Sequence, residues 1–172
     1  YYGSPKDYCI LALLPSYLER EGSSLVYMVD ELIKRSGHPE SGFYLHEHEV
    51  LAQKLSKLDS GKTKVLLIGV SFALLDLVQE YSFSLKNTVV METGGMKGRK
   101  KEMIREELHA ILKNGFGVRH IHSEYGMTEL LSQAYSKGNG RFECPPWMRV
   151  LIRDPEDPLT LLPEGKSGGV NI

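Results

Sequence analysis

Between Tyr8 and His122, strand-length apolar runs alternate with amphipathic stretches of helical period, and no other feature limits the fold so tightly. Lys64–Val70 is the clearest run, apolar throughout after its lysine, as a strand covered on both faces should be. Tyr8–Leu14 reads as a second buried strand, closed by Pro15. Ser23-Ser24 can cap the segment in which Leu25, Met28, Val29, Leu32 and Ile33 recur at helical spacing, and Ser36-Gly37 stops it. A short strand follows at Gly42–Leu45, then a helix over Glu47–Leu58 with Leu51, Leu55 and Leu58 on one stripe. A helix over Phe72–Tyr81, a strand at Thr88–Met91, a helix over Arg99–Lys113 and a strand at Val118–His122 complete the series. In the Arg99–Lys113 helix, Ile104, Leu108, Ile111 and Leu112 face inward, and Asn114-Gly115 forms the C-cap.

Strand alternating with helix is the pattern of a mostly parallel α/β sheet with right-handed crossovers. After about residue 130 the texture changes to Pro, Gly and short alternating runs. Arg141–Cys144, Arg149–Arg153 and Thr160–Leu162 read as short antiparallel strands appended to the sheet. The length of 172 residues fits one α/β domain over residues 1–172.

Composition removes several function classes. Lys and Arg number 21 against 22 Asp and Glu, so the chain lacks the basic excess that nucleic-acid binding uses. Two cysteines make no disulfide framework, which favours a reducing compartment, the cytoplasm. The longest apolar runs are strand-length, and no membrane span is expected.

Ligands of parallel sheets bind beyond the carboxyl ends of the strands, and two loops stand out there. Glu92-Thr93-Gly94-Gly95-Met96-Lys97-Gly98 follows a strand and opens a helix. Its glycines let backbone approach a flat or anionic ligand, and the helix N-terminus with Lys97, Arg99, Lys100 and Lys101 adds positive charge. The spacing matches neither a Walker A loop nor a dinucleotide fingerprint, and plain turn geometry would use the same residues. The second loop, His122-Ser123-Glu124-Tyr125-Gly126-Met127-Thr128-Glu129, gathers an aromatic ring, a glycine, a hydroxyl and a carboxylate. That set suits a nucleotide: the ring stacks on a base, the hydroxyl bonds a phosphate oxygen and the carboxylate holds Mg²⁺. A capped helix start with a glycine turn is the plainer reading.

The Ser123–Glu129 text resembles the Tyr-Gly-x-Thr-Glu motif of the adenylate-forming superfamily of acyl-CoA synthetases and AMP-forming ligases. The wider pattern, Leu13–Tyr17, Ser24–Met28, Glu92–Gly98 and His122–Glu129, is most similar to the acyl-protein synthetases that activate fatty acids for bacterial bioluminescence. The resemblance implies the N-terminal α/β domain of a two-step ligase. Fatty or aryl carboxylic acid and ATP would give an acyl-adenylate, and a thiol, on a protein cysteine or CoA, would take the acyl group. By the same resemblance, Tyr125 lies against the adenine, with Gly94, Gly95, Glu124 and Gly126 around the nucleotide. Thr128 and Glu129 are the catalytic pair: Thr128 contacts the α-phosphate and Glu129 holds Mg²⁺. Ser123 stands where many relatives have Asn. Tyr17, Arg20 and Tyr27 would wall the acyl channel. The superfamily's upstream phosphate loop, its downstream Thr-Gly-Asp segment and its C-terminal lid with a catalytic lysine have no counterpart here, so the resemblance implies the central part of a larger ligase. The expectation is that this 172-residue piece is close to inactive by itself.

Other readings compete. Gly69-Val70-Ser71-Phe72-Ala73 is one glycine short of a nucleophile elbow, which would make Ser71 a hydrolase nucleophile with Asp76, His120 or His122 as partners. Capping of the following helix by Ser71 is the plainer role. His46/His48 and His120/His122 each form His-x-His, a spacing that could chelate a metal, although surface histidines fit equally. Cys9 reads as core and Cys144 as packed. A non-catalytic nucleotide-binding or interaction module derived from a ligase is a further alternative.

Overall fold

The computed structural model describes residues 1–14, 23–96, 98, 100, 102–127 and 130–172. In chain order the elements are β1 (Tyr8–Leu13), α1 (Ser24–Ser36), β2 (Gly42–Tyr44), α2 (His48–Asp59), β3 (Lys64–Val70), α3 (Ser71–Glu80), β4 (Thr88–Thr93) and α4 (Arg105–Phe116). Five short strands follow: β5 (His122–Tyr125), β6 (Ala134–Ser136), β7 (Phe142–Glu143), β8 (Leu151–Arg153) and β9 (Gly169–Asn171). The fold is α/β. One sheet runs β2-β1-β3-β4-β5-β6-β7, parallel from β2 to β5 and antiparallel through β6 and β7.

The order reverses between β1 and β3. Right-handed crossovers therefore put α1 on one face of the sheet and α2, α3 and α4 on the other. The core follows from the alternation of side chains along each strand. Cys9, Leu11, Leu13, Val65, Leu67 and Val90 are fully buried beneath α2–α4, whereas Ile10, Ile68 and Met91 look toward α1. Both faces being covered explains why the central strands read as continuous apolar runs.

Local signals did their expected work in several places. Ser23 Oγ accepts from Val26 N–H at 3.3 Å to open α1, and Gly37, left-handed at φ 61°, ends it. At the end of α2, Asp59 is buried and its carboxylate accepts from Lys86 N–H, Asn87 N–H and Thr88 Oγ1 at 2.7–2.8 Å. That one side chain fixes where β4 begins.

Several expectations need correction. The helix expected at Arg99–Lys113 is α4, Arg105–Phe116; Ile104 precedes it 62% exposed, Ile111 is exposed, and Leu108, His109, Leu112 and Phe116 form the buried stripe. Asn114-Gly115 stays inside the helix, because a Cβ at Gly115 would stand 2.4 Å from Val78 of α3; Gly117, at φ 67°, is the real terminator. The chain then spends Val118–Ile121 returning to the sheet, with Arg119 and His120 exposed, so β5 starts at His122, where the strand was expected to end. Ser71 is the first residue of α3 and caps nothing; Val70 is the N-cap. Of the late strands, β6 and β7 extend the sheet, while β8 and β9 pair with each other in a separate antiparallel ribbon. Thr160–Leu162 contributes only a bridge from Leu161 to Arg153. Cys144 is exposed, not packed.

Candidate functional site

The carboxyl ends of β3, β4 and β5 lie side by side, with Val70 opposite Thr93 and Glu92 opposite Ser123. Alternation sends Glu92 and Ser123 toward α4, and Thr93 and Glu124 toward the α1 face. Two polar clusters therefore sit back to back beneath the two loops singled out in the sequence.

The first cluster centres on Glu92, only 3% exposed. Its Oε2 accepts from Ser71 Oγ at 3.1 Å, and its Oε1 lies 3.3 Å from His109 Nε2 and 3.7 Å from Arg105 Nε. Ser123 Oγ stands 3.5 Å from the same His109 nitrogen. Burial alone would raise the Glu92 carboxyl; hydrogen bonds from His109 and Ser123 and the Arg105 charge outweigh it and hold the group below its usual range. A buried carboxylate without such partners would cost several kcal/mol, so the network is what lets a charge end an apolar strand. Ser71 Oγ also lies 3.3 Å from the Gly94 carbonyl, which ties the glycine loop to α3.

In the second cluster Thr93 Oγ1 donates to Glu124 Oε2 at 2.5 Å, joining the two loops across β4 and β5. Burial raises the Glu124 carboxyl, against the Thr93 hydrogen bond and with help from the Glu92 charge. Gly126 completes the arrangement, since a Cβ there would fall 2.6 Å from Glu124 Oε1.

Tyr125, the last residue of β5, is 37% exposed; its ring meets Phe142 edge-on at 6.0 Å and its hydroxyl lies 3.4 Å from Met127 Sδ. The ring is thus held by neighbours while the residue keeps contact with solvent. Gly94 is left-handed at φ 69° and Gly95 has open space where a side chain would be, so backbone is presented bare at this turn. Met96, 2% exposed, plugs the loop into the core. Gly94, Gly95, Glu124, Tyr125 and Gly126 are therefore brought to one end of the sheet. Thr128 and Glu129 lie outside the described residues, as do Tyr17, Arg20, Lys97, Arg99 and Lys101. Lys100 is engaged with Asp76 of α3 at 2.7 Å.

On the α1 face, reaching toward the amino ends of β1 and β3, is an apolar cavity of about 210 Å³, lined by Tyr2, Tyr8, Met28, Leu66, Met91 and Tyr135 among others. Tyr27, expected in an acyl wall, instead turns outward at 72% exposure; its neighbour Met28 lines the cavity.

Of the three partners named for an elbow serine, two are engaged elsewhere, and the third, His120, is exposed beside Gly138. Ser71 is 1% exposed and its hydroxyl donates to Glu92, while Asp76 pairs with Lys100 and His122 Nδ1 meets Tyr2 Oη at 2.9 Å. Burial is the main cause that lowers His122 to about 4, with smaller effects from His120 and Lys137. His48 meets Glu80 at 3.0 Å. Among the described residues no group of three His, Cys, Asp or Glu could hold a metal.

Sequence reasoning overlooked His109 and the burial of Glu92. The available signal was a carboxylate closing an otherwise apolar strand, with a histidine on the inward stripe of the next helix. No protein-family model, curated protein or solved structure matches this chain. Fold and site together define an α/β domain with a polar loop cluster at the carboxyl end of its sheet. Among the described residues no helix is long and apolar enough to cross a membrane.

Proposed function

We propose that this chain is the nucleotide- and acid-binding part of an AMP-forming carboxylate ligase, similar to the acyl-protein synthetases, working in the cytoplasm. The observation that carries the reading is the Thr93–Glu124 hydrogen bond. It couples the end of β4, where the glycine loop begins, to β5 one residue before Tyr125, and these are the two segments on which the resemblance rests.

In this reading the adenine lies on Tyr125, and Gly94 and Gly95 border it with backbone. A carboxylate oxygen of the acid attacks the α-phosphorus of ATP, the bond to pyrophosphate breaks, and acyl-adenylate forms. A thiolate then attacks the acyl carbonyl and AMP leaves. Thr128 would hold the α-phosphate. By the resemblance, Glu129 would hold Mg²⁺ as a single carboxylate, with substrate phosphates and water supplying the other ligands, the manner in which Mg²⁺ is usually bound. Bound there, it would neutralise phosphate charge as the bond to pyrophosphate breaks. The apolar cavity under α1 would take the tail of the acid: a cavity of about 150 Å³ accepts a benzene ring, so 210 Å³ suits an aryl group or a short run of methylenes.

The test is ATP-dependent pyrophosphate release by the full-length protein with fatty acids of graded length, beside Glu129→Ala. Release only with certain acids, lost in the variant, supports the ligase. No release with any acid from well-folded protein sinks it.

A further inference from the structure

Behind the sheet edge, on the side away from the apolar cavity, α4 and the β6–β7 turn enclose a groove of about 190 Å³. Its charged lining is Arg105, Lys113, Arg119 and one carboxylate, Glu106, with His109 and His120 beside them. Arg105 is shared with Glu92 and lies over the Phe142 ring at 4.9 Å. Lys113 and Arg119 are exposed and have no ion-pair partner among the described residues.

The turn across from them is Gly138-Asn139-Gly140, with φ of 130°, 58° and 66° in succession. Two glycines and an asparagine are the residue types that take positive φ readily, and here they line the groove opposite the cationic side chains. His120 packs onto this turn closely enough that a Cβ at Gly138 would stand 3.3 Å from its Nδ1. Gly138 N–H is taken by Ser136 Oγ at 3.1 Å, but no described hydrogen bond occupies the N–H of Asn139 or Gly140.

We propose that this groove binds a phosphate-bearing small molecule. Two cations without an ion-pair partner among the described residues, a shared arginine and two N–H groups that no described hydrogen bond occupies belong to the residues lining this groove. Guanidinium forks and bare backbone amides are the groups that suit the oxygens of a phosphate. A groove of this volume takes one phosphate group, and the near-neutral chain offers no basic track for a polynucleotide. The inference rests on α4, the Val118–Ile121 connection and the β6–β7 turn, and does not depend on the nucleotide reading.

Calorimetric titration of the 172-residue chain at low ionic strength tests it, with inorganic phosphate, pyrophosphate and ribose 5-phosphate as probes. Saturable binding that weakens at least about tenfold in Arg119→Ala and in Lys113→Ala is the expected result. Tighter binding of the inorganic probes assigns a free ion as the natural ligand; tighter binding of ribose 5-phosphate assigns an organic monoester. Both variants are at exposed positions, and unchanged circular dichroism verifies their fold. Absence of saturable binding, binding indifferent to both variants, or tighter binding of a single-stranded oligonucleotide than of any small phosphate overturns the proposal.

Discussion

Ser71 and Glu92 close the gap between the ends of β3 and β4, the serine hydroxyl donating to a carboxylate that is 3% exposed. The direction of that bond decides the role of Ser71. A nucleophilic serine gives its proton to a neutral base, whereas the single proton of this one is shared between a buried anion and the Gly94 carbonyl. Its work here is to fix the glycine loop.

Replacing Ser71 with Ala removes one hydrogen bond to a charged, buried acceptor while His109 and Arg105 remain. The expected loss is about 1.5–3 kcal/mol in urea unfolding, with adenylate formation reduced and not abolished. If Ser71→Ala leaves stability untouched and abolishes cleavage of a model ester, the serine is a nucleophile and the bracing role is wrong.

The central sheet was legible because apolar runs such as Lys64–Val70 are buried on both faces, and burial on both faces leaves a continuous apolar run that no loop imitates. The candidate loops were legible for a different reason: glycines and a lone tyrosine at strand ends stand out from apolar surroundings. What the sequence hid depended on pairing at a distance. His-Ser-Glu-Tyr at β5 carries no strand signal, since its stability comes from β4 on one side and β6 on the other. The end of α4 was misplaced because Gly115 serves contact with Val78, which only the packed helix pair reveals. Glu92 carried one local mark, its place near the end of an apolar strand, but its partners come from α3 and α4 and appear only in the packed structure.

Asp59 should be the most sensitive polar residue away from the site. Its carboxylate satisfies two backbone N–H groups and the Thr88 hydroxyl at the entry to β4. Asp59→Ala leaves these donors unsatisfied, for a loss of roughly 2–4 kcal/mol, and Asp59→Asn, which keeps one acceptor oxygen, loses less. Thermal or urea unfolding of the two variants checks the order; equal losses would show that shape and not hydrogen bonding holds that corner.

His122 gives the fold an acid limb. Its folded-state value, lowered to about 4, lies below the unfolded value near 6.5. The unfolded chain therefore binds the proton first, and stability is complete above that upper value and drains as pH falls through this window. With solvent screening of a half-buried ring the loss is on the order of 1–2 kcal/mol. His122→Gln, which retains a partner for Tyr2 Oη, should flatten the curve between about pH 6.5 and 4. An unchanged slope would assign the acid limb to the carboxylates.

Gly126 separates the nucleotide reading from stability alone. A methyl group there would stand 2.6 Å from Glu124 Oε1 and 3.3 Å from Gln133 Cγ, so the carboxylate must swing away and the Thr93–Glu124 link breaks. Because the colliding atom is the end of a side chain, Gly126→Ala should cost only about 1 kcal/mol in unfolding. Nucleotide affinity should fall about tenfold, since the loop bearing Tyr125 loses its tie to the glycine loop. Glu124→Gln is the companion variant. Burial raises the Glu124 carboxyl, so ionisation at neutral pH works against the fold, and that cost vanishes as pH falls below the unfolded value near 4.5. The glutamine keeps an oxygen for Thr93 and carries no charge. It should therefore be slightly more stable than the parent at pH 7, equal to it at pH 4, and close to it in nucleotide binding. If Gly126→Ala binds ATP as the parent does in a fluorescence titration, the Thr93–Glu124 link has no part in holding a nucleotide.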